Sequence, residues 1–372
     1  MSPGSLRYLA WVFALPLLFG SSVTASERSS IWDLPQLYRS ETNPLLQSFS
    51  LTGLIHYQFA SVHADRGAFD TSEFRRFRFG AKAQFFRNFY FSIAANLDPE
   101  LSNGSLYEDQ STAFISWSPY GNEKNAIRRF HLAAGKMKPR FTREYSTSAK
   151  KLKTFERSLL TNMLAPAKAN GFSLGGAEGI YSYTLAAYSG GDPEAFSRPE
   201  SGGLVLAKLG VDITPDLNLG LDYFWGSEDQ DLTAPIRQAI SLSFSYNEDY
   251  ENGRLAVIGD LMGGLGVDGR SPDMAGLVIL PSYQLSERFE LVGRYQYARS
   301  NGPGLRAQRR YEREIGLPEA SYGNRYHAGY LGLNYSVYGP NLKLMTGIEF
   351  SDIAGSGDYH GYTFFSGVRL YF

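Results

Sequence analysis

The sequence predicts an all-β fold, an antiparallel transmembrane β-barrel of 16 strands. Three observations predict it. Apolar and polar residues alternate with period two over most of the 372 residues, as in strands with one face against an apolar phase and one against water. The connections tend to run long, short, long, short, which suits a barrel with tight turns on one side of a membrane and extended loops on the other. Aromatics make up 15% of the chain, with 25 Tyr and 25 Phe against 4 Trp, a supply that fits the girdles at the two membrane–water interfaces. The formal net charge of −1 gives no basic field to draw nucleic acid, and the absence of Cys excludes disulfides and thiolate metal sites.

The N-terminus reads as a secretory signal. Arg7 precedes the apolar run Tyr8 to Gly20, about 13 residues, and Val23-Thr24-Ala25 places small residues before a cut at Ser26. The run is shorter than a spanning helix needs. The expected division is a signal peptide over 1–25, a periplasmic N-terminal segment over 26–48 and a barrel over 49–372. A secreted bacterial chain of this pattern is expected in the outer membrane.

The strands are read at 51–62, 73–86, 89–98, 106–118, 128–138, 169–176, 179–189, 202–214, 217–226, 238–247, 254–262, 274–286, 288–299, 324–338, 341–353 and 360–372. Long gaps such as HADRGAFDTS, SGGDPEAFSRPES and GSEDQDLTAP alternate with minimal ones such as Arg87-Asn88, Pro215-Asp216 and Gly339-Pro340. In the second strand Phe77, Phe79, Ala81, Ala83 and Phe85 share a face, opposite Arg76, Arg78, Lys82 and Gln84. A Lys or Arg facing lipid at mid-bilayer costs about 2–4 kcal/mol, so the basic face must be the lumen side. In the last strand Tyr362, Phe364, Val368, Leu370 and Phe372 oppose Thr363, Gly367 and Arg369, but Phe365 and Tyr371 fall on the polar side. The aromatic end at Phe372 looks like the signal read by bacterial barrel-assembly machinery.

One segment departs from the rest. Residues 136–168 carry Lys136, Lys138, Arg140, Arg143, Lys150, Lys151, Lys153, Arg157 and Lys168 against only Glu144 and Glu156, +7 in a chain that totals −1. They span the longest gap, third among the long loops. Basic groups lining a pore favour anions and phosphate, because guanidinium forks match phosphate oxygens and ammonium groups act as mobile charges. The candidate anion-binding and pore-lining residues are therefore Arg76, Arg78, Lys82, Lys136, Lys138, Arg140, Arg143, Lys150, Lys151, Lys153 and Arg157. A solvated surface loop, or one that touches anionic lipopolysaccharide, has the same composition.

Residues 135–176 resemble the central block of the phosphate-selective porin O and P family. The match rests on Gly135, Lys138, Pro139, Phe141, Glu144, Ser146-Thr147-Ser148, Lys150, Phe155, Glu156, Arg157 and Gly171, with Phe155, Glu156 and Arg157 contiguous here. The strand from Phe74 to Phe86 resembles the family's early arginine-rich strand. The resemblance implies a homotrimer of 16-stranded barrels, each with an inward-folded third loop and basic residues at the constriction.

Two motifs fail their context. Gly171-Phe172-Ser173-Leu174-Gly175 fits a nucleophile elbow, but strand sequence follows it. Gly264, Gly266 and Gly269 fit a dinucleotide fingerprint, but no helix follows. The five His (His56, His63, His131, His327 and His360) lack metal-ligand spacing, and no cofactor or metal is expected. The reading is an outer-membrane porin passing small anions such as phosphate by passive diffusion, not an enzyme, among outer-membrane lipid and lipopolysaccharide. The alternatives are a general or weakly cation-selective porin, for which the acids of DPELSNGSLYED and GSEDQDL speak, and a lipase-like, structural or adhesive barrel.

Overall fold

A computed structural model of the chain describes residues 31–119, 128–190, 202–227, 236–250, 253–307, 311–315, 323–355 and 358–372. The expected signal peptide, the turn over Tyr120–Asn122, most of SGGDPEAFSRPES and the acids of GSEDQDL lie outside these residues. A short strand β1 (Gln36–Arg39) precedes the barrel and pairs antiparallel with β2. The barrel strands are β2 (Leu46–Ala64), β3 (Gly67–Phe85), β4 (Phe89–Leu97), β5 (Tyr107–Trp117), β6 (Arg128–Met137), β7 (Ala169–Glu178), β8 (Tyr181–Ser189) and β9 (Gly203–Asp212). Then follow β10 (Leu217–Gly226), β11 (Gln238–Tyr250), β12 (Gly253–Leu265), β13 (Met274–Gln284), β14 (Phe289–Ser300), β15 (Arg325–Tyr338), β16 (Leu342–Ala354) and β17 (Tyr359–Tyr371). Each pairs antiparallel with the next, and β17 pairs with β2 from Gly361↔Ala64 to Tyr371↔Leu54, so the sheet of 16 closes. Closure is what the membrane demands, since an open edge would leave backbone groups unpaired in hydrocarbon.

All 16 expected strands are present, with two corrections at their ends. The gap HADRGAFDTS is not a long loop. β2 and β3 run on as a ladder to Ala64↔Gly67, so only Asp65 and Arg66 turn the chain. Likewise β11 and β12 pair as far as Tyr250↔Gly253. Above the apolar band both faces of a hairpin meet water. The polarity alternation fades there while the hydrogen-bond ladder continues. β2 also starts at Leu46, ahead of the expected 51.

Side chains divide as the alternation requires. On β14, Phe289, Leu291, Tyr295 and Arg299 are exposed, while Val292, Arg294, Gln296, Ala298 and Ser300 are buried. Over the stretch from Phe289 to Tyr297 the inward row alone carries charge, at Glu290 and Arg294, and by the cost of charge in lipid it faces the lumen; Arg299 comes only at the end of the exposed row.

Between β6 and β7 the chain forms two short helices, α1 (Arg143–Ser146) and α2 (Leu159–Leu164), with a 3-10 turn at Ala149–Lys151 between them. This segment takes its partners from the polar rows of distant strands. Asp260 of β12 accepts from the Arg143 and Glu144 amides at 2.7 and 2.9 Å, satisfying donors at the start of α1 that have no partner within the helix. Gln296 of β14 accepts from the Leu159 amide at 2.8 Å and does the same for α2. The Glu144 carboxylate takes both Ser158 groups, and Arg294 at 3.2 Å; Arg294 reaches on to Glu349 of β16. Lys343 of β16 donates to the Leu152 carbonyl at 2.7 Å.

Apolar packing completes the attachment. Leu159, Leu160 and Leu164 are fully buried against Ile236, Met262, Met274 and Leu305. Gly264 admits α2, because a Cβ there would lie 2.6 Å from Leu164. Phe155 stacks on Phe365 with ring centroids 5.1 Å apart. The aromatic that sat on the wrong face of the last strand is thus the one the segment covers.

Arg294→Met should release this segment. It leaves the buried Glu144 and Glu349 carboxylates without their shared cation, and breaking such a pair costs about 3–5 kcal/mol. Limited trypsin digestion of the folded variant should cut at Lys150 or Lys151, where the parent chain resists. Equal resistance would mean that the leucines of α2 hold the segment unaided.

Candidate functional site

A cavity of about 850 Å³ lies between the 138–168 segment and the wall built by β2 to β9. Its basic lining has two sources. Arg75, Arg76, Arg78 and Lys82 come from β3, and Lys138, Arg140, Lys150, Arg157 and Lys168 from the segment. Among the described residues no Asp or Glu lines it. Between the cations stand hydroxyls: Ser92 on β4, Ser111, Thr112 and Ser116 on β5, Ser173 on β7 and Thr184 on β8.

Strict alternation would send Arg75 outward. A bulge prevents this. In the β2–β3 register His56 pairs with Arg76 and Tyr57 with Phe74, so Arg75 is the extra residue. A bulge re-aims the side chain it carries, and here Arg75 and Arg76 both reach the cavity side by side. Arg75 forms a two-pronged pair with Glu156, and Arg76 stands 4.0 Å from the same carboxylate. Burial pushes the Glu156 carboxyl up, but the Arg75 and Arg76 charges outweigh it and hold the group down at about 2.

The acids are occupied elsewhere. Glu144 and Glu349 hold Arg294, Asp260 caps α1, Glu290 holds Lys153 at 2.7 Å, and Asp222 holds Lys208 at 2.7 Å. Of the cations that face the cavity, Arg75 and Arg76 share Glu156 and Arg78 is linked through Asn96 to Asp109, while the lysines are crowded by neighbouring cations. Burial and the nearby Arg157 charge lower Lys138 to about 6. Burial and Arg78 lower Lys168 to about 7, and burial and Lys82 lower Lys150 to about 8. An anion among them would remove the repulsion and raise all three.

The eleven residues expected from sequence do not all meet. Arg76, Arg78, Lys82, Lys138, Arg140, Lys150 and Arg157 line the cavity; Lys136, Arg143, Lys151 and Lys153 do not. Lys136 is buried on β6. Lys153 is consumed by Glu290, Ser282 and its place on the wall. Lys151 is exposed away from the lining. Arg143 donates to Asn218 and lines a smaller cavity of about 290 Å³ with Arg129, Lys208 and Asp222. His131, Ser146 and Thr184 line both cavities, so the two adjoin. Lys138 gives its ammonium to the Tyr145 carbonyl and lies 3.8 Å from that ring. Lys150 lies 3.2 Å from the main-chain oxygen of Phe372.

Arg75 escaped sequence reading because a bulge has no signature in the alternation. Lys168 was visible as part of the basic run, but its place at the cavity, bound to Ser111, depends on how the segment returns to β7. The elbow-like Ser173 sits within β7, paired through to β8, with no strand-to-helix turn.

Comparison with known proteins follows the same line. The family model described as phosphate-selective porin O and P matches residues 49–257. No curated protein matches the chain. Among solved structures, the anion-selective porin from Comamonas acidovorans is similar with a TM-score of 0.60 at 13% identity, over 87% of this chain and 99% of that one. In-vitro folded OmpT of Vibrio cholerae, in its trimer form, gives 0.55 at 13%, over 87% and 99%. OprB of Pseudomonas putida gives 0.58 at 9%, over 87% and 94%. At these identities the likeness is one of fold.

Lys168 should betray its surroundings by its reactivity. A small acylating reagent should modify it with a midpoint near pH 7, read by peptide mass mapping. A midpoint near the ordinary lysine value of about 10.4 would place its ammonium in open water.

Proposed function

Because the chain belongs to the phosphate-selective porin O and P family, matched over more than half its length, we propose that this outer-membrane porin passes small anions by diffusion and favours phosphate-like ones. The observation that carries the reading is the lining of nine basic side chains, with no carboxylate among the described residues that line the cavity. A phosphate entering such a cavity exchanges water for the guanidiniums of Arg76 and Arg78 and for the hydroxyls of β4 and β5, with Arg75 adding its charge from its place on Glu156. The lysines follow as mobile point charges. Many moderate contacts in series suit conduction, which needs binding firm enough to admit an ion and weak enough to release it.

In this reading the 138–168 segment is the constriction, and its attachment to β12, β14 and β16 keeps the path on the basic side. The barrel is a channel with no covalent chemistry of its own. It assembles as a homotrimer, as the similar OmpT does in the form cited above. Residues 1–25 direct secretion, 26–48 remain on the periplasmic side, and the strand ending at Phe372 is presented to the assembly machinery.

The reversal potential in a planar bilayer under a KCl gradient tests this. The sign should report anion preference, and added phosphate should reduce the chloride current. Replacing Arg76, Arg78 and Lys82 together by Gln should move the potential toward zero, while Lys151→Gln should leave it unchanged. Cation preference in the parent protein would overturn the reading.

Selectivity should also depend on pH, with a definite sign. Lysine is cationic below its pKa, so Lys138, Lys168 and Lys150 lose charge in turn as pH rises through about 6, 7 and 8. Anion preference should fall between pH 5.5 and pH 9 and settle on the arginine contribution, which stays charged. A flat profile would show that the lysines keep full charge in the open pore.

A further inference from the structure

The outer wall over β14 and β15 has a layered order. From the periplasmic end, the exposed cross-strand pairs are Phe289↔Tyr335, Leu291↔Leu333, Gly293↔Leu331, Tyr295↔Gly329, Tyr297↔His327 and finally Arg299↔Arg325. The first pair has ring centroids 4.8 Å apart, and so have Tyr297 and His327; the Tyr295 hydroxyl lies 3.0 Å from His327 Nδ1. Phe289 to Tyr297 spans roughly 27 Å of strand, about 20 Å of height at a tilt near 40°. The two aromatic levels thus bracket the apolar band, and Arg299 and Arg325 stand one step beyond the extracellular level. That is the depth of the outer-leaflet headgroups.

Both arginines are exposed, and neither side chain has a hydrogen bond or ion pair among the described residues. Like charges placed directly opposite in a sheet repel. Two described acids of the adjoining strands and loop have other partners: Asp352 lies 3.3 Å from His360, and Asp273 accepts from the Gly266 amide and from Asn301. Arg299 also edges an apolar groove of about 710 Å³ on the same wall. Gly263 and Ala275 leave its floor low, and Ile240 and Leu265 flank it.

We propose that Arg299 and Arg325 form an outward-facing site for a phosphorylated lipid of the outer leaflet, its phosphate held between the two guanidiniums and an acyl chain in the groove over Gly263 and Ala275. Charge complementarity and depth choose this occupant. Paired guanidinium forks recognise a phosphate, the groove beside them runs into hydrocarbon, and the phosphate needed must be fixed at the membrane surface. The site is on the opposite face of the wall from the basic cavity and does not depend on what passes through the pore.

Native mass spectrometry of the purified protein with diphosphoryl lipid A tests it. The parent chain should carry lipid A through a detergent wash. Arg299→Gln with Arg325→Gln should weaken retention by about tenfold or more, for two lost charge-assisted contacts. Ala275→Trp, which fills the groove and keeps both arginines, should also lower it. Bilayer conductance of each variant reports folding and should match the parent. Equal lipid retention in the double variant would overturn the site. So would displacement of lipid A by inorganic phosphate alone, which would make it a free-anion site, or a loss of oligomer with lipid retained, which would make it a subunit contact.

Discussion

Every backbone amide of this chain that lies in hydrocarbon must find its partner within the sheet, and from that constraint the rest follows. The sheet must close, so β17 returns to β2. A closed sheet has an outside that meets lipid and an inside that meets water, and side chains alternate between them. Within the apolar band charge can then be placed only on the inner row, at any density the lumen will bear. The bases and acids that shape this protein stand together there because no other row could hold them.

Within the lumen the two signs do different work. Asp260 of β12 and Glu290 of β14 fix the segment between β6 and β7 through the start of its first helix and Lys153, and Glu349 of β16 holds the Arg294 that binds Glu144. The bases of β3 and of the segment's other side are left facing open space. The asymmetry is a consequence of attachment. Each acid spent on holding the segment is one that cannot neutralise the cavity. Among the described residues no Asp or Glu lines the cavity, yet two acids stand close to its bases: Glu156 holds Arg75, and Asn96 links Arg78 to Asp109 of the DPELSNGSLYED stretch, while the acids of GSEDQDL lie outside the described residues.

Much of this was readable in the chain. All 16 strands could be found from alternation, because lipid on one side and water on the other write themselves into successive residues. The basic segment was legible from composition alone. What could not be read was which of its cations are spent. Lys153 lies 137 residues from Glu290, and nothing near it distinguishes it from Lys150. Arg75 needed the bulge opposite Tyr57, a matter of hydrogen-bond register that leaves polarity unchanged. Phe365 was an intermediate case. An aromatic on a lumen row is out of place, and the anomaly marked the spot where Phe155 packs.

The mixture of arginines and lysines in the cavity has a physical reason. Crowded cations without acids raise the free energy of the folded chain, and the cost grows with each charge added. Lysine can escape it by giving up a proton, and the lowering of Lys138 and Lys168 to about 6 and 7 shows how near neutrality they stand. Arginine cannot. The guanidiniums of Arg75 and Arg76 are instead stabilised by Glu156, which the segment itself brings to the wall. The permanent charges of Arg75 and Arg76 are therefore held by a carboxylate, whereas Lys138 and Lys168 have neutral oxygens as partners and Lys150 has the main-chain oxygen of Phe372. If the proposed function holds, an arriving anion would meet a fixed field at β3 and by its own charge would favour protonation of the lysines around it. Attraction would then increase where an anion is present and relax when it leaves, so that a dense basic site could release what it draws in.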